Sequence, residues 1–183
     1  MKYLKISIVF ILAGILIYAW YPKSTSSERV LRQYGFDQLS VEELAYTLDK
    51  ETFTQSNLIA SITATSIAFG EVGKSVNIDI PEGKFYLSLA PYIEHTHPCA
   101  NHNFVTCRGE MPNTTFHVKI VTLDDEVLID EELTTYDNGF VGVWLPANIT
   151  ANIYVHYQNK SANTTITTLK TSDTCLTTLQ LEG

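Results

Sequence analysis

Charge is in short supply in this 183-residue chain, where Asp, Glu, Lys and Arg together make up 17%, against about a quarter in an ordinary soluble domain. Basic residues are the scarcer kind: 12 Lys and Arg face 20 Asp and Glu, for a formal net charge of −8. No basic face able to follow a phosphate backbone can be assembled from so few, which excludes a nucleic-acid binder. The acidic excess leans weakly toward a cation. Cysteine is also sparse: three residues are too few for a disulfide scaffold and too few for an all-cysteine zinc site. Also missing are a glycine-rich phosphate loop, a His-Glu-x-x-His helix and a Gly-x-Ser-x-Gly elbow. A cysteine hydrolase pairing Cys107 with His97 or His102 has only residue types in its favour. Internal repeats, low-complexity tracts and long charge runs are absent. What is abundant is apolar surface, 45% of residues, enough for a real core and incompatible with wholesale disorder. The length suits one domain with a small appendage.

The appendage is N-terminal. Lys2 and Lys5 precede a charge-free apolar run from Ile6 to Tyr21, the pattern of an export signal or signal-anchor. No clear Ala-x-Ala site follows it, so residues 1–22 stand as a signal peptide or an uncleaved anchor. The flanking lysines place the remainder of the chain outside the cytoplasm. The expected localisation is therefore extracytoplasmic, in the periplasm or on the outer face of the membrane, with this segment as the sole membrane contact.

Beyond a polar tether at 23–27, the pattern predicts a helical part over 28–68 and a β-rich part over 69–183. Val30, Leu31 and Tyr34 fall at helical spacing before Gly35, a good residue to end a helix. Ser40 and Glu43 fit a capping box, followed by an apolar stripe of Val41, Leu44, Ala45 and Leu48. A third helical candidate, Asn57 to Ser66, is ambiguous because Ile and Thr are prominent in it. Strand alternation then recurs over 75–80, 84–90, 116–121, 127–133, 141–145, 149–157, 164–169 and 176–181. Turn signals at Asp124-Asp125 and Asn138-Gly139 punctuate it. The expected fold class is α+β: a short helical N-terminal part followed by an antiparallel, sandwich-like β domain.

The chemistry-bearing residues crowd into one stretch, Glu94-His95-Thr96-His97-Pro98-Cys99-Ala100-Asn101-His102 and then Cys107-Arg108-Gly109-Glu110-Met111. Three of the five histidines and two of the three cysteines lie between positions 95 and 107. If 95–99 is extended, His95, His97 and Cys99 share a face. Thiolate and imidazole suit Cu(I) or Zn(II) and argue against Ca and Mg. Two or three sulfurs with one imidazole satisfy Cu(I); three thiolates with one imidazole also satisfy zinc. A thiol pair can furthermore deliver two electrons to two Cu(II) ions as it closes to a disulfide. The plain alternative is a structural disulfide in an extracytoplasmic β-rich interaction module that binds no metal. On residue type alone, His95 and His102 read as surface-loop histidines, His117 and His156 as structural strand residues, and Met111 as core filling rather than a thioether ligand. Asp124, Asp125 and the acids at 130–132 read as a solvated hairpin.

Longer motifs carry a resemblance. Phe85-Tyr86-Leu87-Ser88-Leu89-Ala90-Pro91-Tyr92, Thr96-His97-x-Cys99 and Thr106-Cys107-Arg108-Gly109-Glu110-Met111 are similar to the copper-binding periplasmic protein family CueP. So are Thr134-Thr135-Tyr136-Asp137-Asn138-Gly139-Phe140, Trp144-Leu145-Pro146 and Thr174-Cys175-Leu176-Thr177-Thr178-Leu179. The resemblance runs from about position 30 to 181. It implies extracytoplasmic sequestration of copper, a Cu(II)-reducing activity, and delivery of copper to a client such as a copper-zinc superoxide dismutase. It also implies a small helical part ahead of a β-rich one, often as a homodimer. The implied metal ligands are His97, Cys99, Cys107 and Cys175, with His102 as a lesser candidate; the same three cysteines are the candidate redox groups. Copper is the expected ion and zinc the lesser occupant.

Overall fold

The computed structural model describes residues 25–51, 53 and 55–183; the hydrophobic N-terminal run lies outside them. No helix among the described residues is long and apolar enough to cross a membrane. Two short helices lead, α1 (Ser26–Gln33) and α2 (Val41–Lys50). Each starts on a complete capping box: Thr25 with Glu28, and Ser40 with Glu43. These boxes satisfy backbone N–H groups that the first helical turn leaves without partners. The first box begins inside the stretch assigned to the tether, so α1 starts earlier than the apolar spacing alone suggests. It ends at Gly35, whose φ of 76° costs a residue without a Cβ nothing.

Ten strands follow: β1 (Leu58–Ile62), β2 (Ser66–Glu71), β3 (Val76–Asp79), β4 (Lys84–Leu89), β5 (Thr115–Thr122), β6 (Val127–Thr134), β7 (Val141–Pro146), β8 (Thr150–Tyr157), β9 (Lys160–Thr167) and β10 (Cys175–Leu176). They form three sheets ordered β1-β2-β3, β10-β4-β7 and β6-β5-β8-β9. All pairings are antiparallel except β10 on β4, which is parallel. The fold is thus α+β, mostly β, as expected.

The third helical candidate is corrected. Asn57 to Ser66 forms β1 and the turn into β2, with Leu58, Ala60 and Ile62 buried on one face. Branched Ile and Thr lose rotamer freedom in a helix and fit a pleated surface, and tertiary pairing with β2 decided the matter. The last predicted strand shortens as well: only Cys175–Leu176 is strand, and residue 180 returns to Tyr92 by an isolated bridge.

Strand β4 is the hinge of the architecture because it is buried on both faces. Phe85, Leu87 and Leu89 join Val141, Val143 and Leu145 of β7 against Phe116, Val118, Ile120, Ile153 and Val155 of the four-stranded sheet. Tyr86 points the other way, into a second core with Leu44, Ala45 and Leu48 of α2 and Ile62, Ile67 and Phe69 of the first sheet. The tyrosine ring lies directly over Gly142, where an added Cβ would fall on the phenol. Gly142→Ala is expected to cost about 1–3 kcal/mol, the range for overpacking a dense core. A chemical-denaturation midpoint measures it, and an unchanged midpoint would show that Tyr86 can move aside.

Candidate metal centre

The loop carrying the histidines and cysteines, residues 91–108, has no regular secondary structure, yet it is firmly stitched down. Ile62 N–H donates to the His102 carbonyl and Phe104 N–H to the Ala60 carbonyl, each at 2.9 Å. These bonds lay residues 102–104 along the free edge of β1. On its other side the loop is held at Ala100, whose carbonyl accepts from the N–H groups of Thr174 (2.9 Å) and Cys175 (3.2 Å). Thr174 is fully buried and ties both sides together: its hydroxyl donates to the Ile62 carbonyl at 2.7 Å and accepts from the His102 N–H at 3.2 Å. Asn103 then turns the chain, its side-chain oxygen accepting from the N–H groups of Val105 and Thr106. A backbone bond from Cys107 N–H to the Asn103 carbonyl, 2.9 Å, closes that turn.

The result is a small enclosed cluster of Ala90, Cys107, Phe140 and Cys175, with Cys99 packed against it. Cys99 and Cys175 are joined as a disulfide across 76 residues of sequence. Cys107 is a free, buried thiol, its sulfur 3.5 Å from that of Cys99. Two imidazoles flank the sulfurs. One group brings together donor atoms of His97, Cys99 and Cys107, the other those of His102, Cys107 and Cys175, each within 4.8 Å of one another. Phe140 packs near both rings, 6.2 Å from His97 and 4.4 Å from His102 by centroid. All five residues singled out in the sequence therefore converge.

His102 is not a surface-loop histidine. It is fully buried, because the stitching along β1 turns its ring inward against Phe104 and Phe140. Its Nε2 lies 3.0 Å from Oδ1 of Asp49, itself buried in the last turn of α2. Burial opposes the charged imidazolium, but the Asp49 carboxylate and the Cys107 sulfur outweigh it and hold the His102 pKa up at about 9. Burial likewise opposes the Cys107 thiolate. Hydrogen bonds from His102, the Asn103 N–H and His97 prevail and bring that thiol down to about 7. The pair thus favours imidazolium and thiolate over their neutral forms, the state in which sulfur is a nucleophile and a metal donor.

His95 does not join the cluster. The chain at 95–99 is not a strand, so alternation does not apply, and the His95 ring sits beside Glu94 and Glu110 on the surface. Glu110 is occupied by the N–H groups of Ile93, Glu94 and His95, which makes it a fastener of the loop. His117 and His156 face each other across β5 and β8 on the outer sheet face, with His117 Nε2 3.0 Å from Asp130. Met111 is partly buried against the main core.

Two features escaped the sequence. Asp49 follows Leu48 on the apolar side of α2, and an acid placed four residues after the buried Ala45 is the signal that could have found it. Asn138 is buried, its amide nitrogen donating to Asp49 while its oxygen accepts from Phe140 N–H. Beside it Gly139 presses backbone to backbone on Gly109, with no room for a Cβ on either. Gly109 N–H donates to the Asn138 carbonyl at that crossing, 2.7 Å.

Comparison with known proteins points one way. The family described as "Periplasmic copper-binding protein CueP" matches residues 41–180. A solved structure described as "Crystal Structure of S.CueP" is similar to this chain with a TM-score of 0.82 and 38% sequence identity, covering 88% of this chain and all 100% of that one. No curated protein matches the sequence.

Proposed function

The chain belongs to the CueP family of periplasmic copper-binding proteins, and from that premise we propose that it holds Cu(I) outside the cytoplasm through Cys99, Cys107 and Cys175 with an adjacent imidazole. His97 is the first imidazole of this reading and His102 the lesser one. The observation that carries it is the convergence of three sulfurs and two histidine rings around one small apolar cluster. Soft thiolates in a low-coordinate, water-poor setting suit Cu(I), whereas zinc asks for a closed tetrahedron.

The same sulfurs supply electrons. With all three thiols reduced, closing Cys99 onto Cys175 releases two electrons, which convert two Cu(II) to two Cu(I), and the thiol protons leave to solvent. The disulfide with one free thiol is the oxidised end of that step, and Cys107 remains to hold a product ion. A further round needs an external dithiol to reopen the bond. An open groove of about 570 Å³ lined by Pro98, Cys99, Asp173 and Cys175 is where such a thiol would approach. Delivery of the ion to a client protein belongs to the same reading, with export by the N-terminal segment.

The competing reading is a metal-free interaction module. The 76-residue disulfide favours it, since a bridge over so long a loop constrains the unfolded chain strongly. It leaves the buried Cys107 thiol and the His102–Asp49 pair without a purpose. Cu(I) titration of reduced protein against a competing chelator separates the two. Cys99→Ser and Cys107→Ser are each expected to weaken binding about tenfold or more, roughly 1.4 kcal/mol per decade. Undiminished affinity in both variants would leave the interaction module standing.

A further inference from the structure

Asp49 is an expensive residue where it stands. It is 1% exposed and occupies the last turn of α2, where the helix dipole disfavours a negative charge. A buried carboxylate persists only when hydrogen bonds compensate its lost hydration. Here four side chains do so: Tyr86 Oη at 2.9 Å and Ser88 Oγ at 3.5 Å on Oδ2, and Asn138 Nδ2 and His102 Nε2, each at 3.0 Å, on Oδ1. The orientation of the Asn138 amide is settled independently, because its oxygen accepts from Phe140 N–H at 2.8 Å.

Tyr86 Oη donates to Oδ2 and Asn138 Nδ2 to Oδ1, so the Asp49 carboxylate stands here as an acceptor and the proton on this side of His102 resides on Nε2. The opposite nitrogen, Nδ1, then faces the sulfurs, 3.8 Å from Cys175 Sγ. Phe140 and Phe104 pack against the ring, with centroids 4.4 and 5.1 Å away, and restrict its rotation. His97 has no such carboxylate among the hydrogen bonds of the described residues. Carboxylate partners of this kind fix the tautomer and direction of metal-binding histidines.

We infer that Asp49 is the positioning residue of the copper centre: by holding the Nε2 proton of His102 it presents Nδ1 as the imidazole donor to an ion seated on Cys107 and Cys175. The inference rests on the Cu(I) reading above and deepens it, shifting the principal imidazole from His97 to His102. Copper displaces any proton on Nδ1 while the Nε2 proton stays with Asp49, so the buried carboxylate keeps its partner whether or not the ion is present.

The test uses reduced full-length protein labelled with ¹⁵N at histidine, with and without one equivalent of Cu(I). In the wild type, His102 is expected to show a protonated Nε2 in both states and a metal-shifted Nδ1 in the loaded one. A protonated Nδ1 and bare Nε2 in the loaded wild type would overturn the inference without recourse to any variant. Asp49→Asn and Asp49→Ala, with their metal-free folds checked by amide spectra, are expected to lose about 10- to 100-fold in Cu(I) affinity and to lose the Nε2 proton signal. His97→Ala is expected to keep that proton signal, because the bond from His102 Nε2 to Asp49 does not involve His97. Wild-type protein that binds no Cu(I) sinks the copper reading and this inference with it. Wild-type protein that binds Cu(I) while both Asp49 variants bind as tightly sinks the inference alone.

Discussion

Protein reduced at all three cysteines is expected to hold Cu(I) about a thousandfold more tightly than protein carrying the Cys99–Cys175 bond, a difference of roughly 4 kcal/mol. The bridge converts two of the three thiolates into disulfide sulfurs, which bear no charge and donate poorly to a soft cation. What is left in the oxidised form is the Cys107 thiolate and its neighbouring imidazoles. Competition against a Cu(I) chelator, run on both redox forms under anaerobic conditions, measures the difference directly. Equal affinities would mean that Cys99 and Cys175 are structural and that Cys107 with histidine does all the holding. Affinity would then be indifferent to the redox state of the pair, and the protein could not release its ion by oxidation.

The second large effect concerns electrons rather than affinity. Reduced protein mixed anaerobically with excess Cu(II) is expected to form two Cu(I) per chain and lose two of its three thiols. Peptide mapping is expected to find the new bond between Cys99 and Cys175. The double variant Cys99→Ser/Cys175→Ser is expected to form no intramolecular bond and to lose this two-electron yield, since one remaining thiol cannot close on itself. Cys107→Ser is expected to retain the two electrons but to hold the product ion weakly. Cu(I) formation with no thiol loss in the wild type would reject the sulfur pair as the electron source. The 3.5 Å between Cys99 and Cys107 adds a check on the mapping: a bond found there instead would show that the free thiolate attacks its neighbour faster than Cys175 does.

The donors were readable from residue types, but what orders them was not. Cys99, Cys107 and His97 stand close together in sequence, and family motifs carried Cys175 to the same place. His102 resisted reading because a histidine in a loop is ordinarily exposed; only the backbone bonds from Ile62 and Phe104 turn this one inward. Asp49 stayed hidden for a related reason. A lone acid at a helix end registers as surface, and its burial becomes visible only when Tyr86 and Ser88, Asn138 and His102 arrive from three other places in the chain. Among the elements, α2 was legible from its capping box and stripe, and most strands from their alternation. Strand β4 was only half legible, because Tyr86 and Ser88 look like an outward polar face yet serve a second core. The parallel seat of β10 on β4 left no local mark, as a two-residue strand has no pattern of its own.

One of the least chemical contacts in the molecule bears on how tolerance to mutation should be interpreted. Gly109 and Gly139 touch through their backbones, the first two residues beyond Cys107 and the second next to Phe140. Any side chain at either position would push the thiol-bearing loop away from the ring that packs against both imidazoles. A substitution survey scored by copper tolerance would therefore rank this pair beside the cysteines, although neither glycine has an atom to offer the ion. Intolerance there would register the width of a gap.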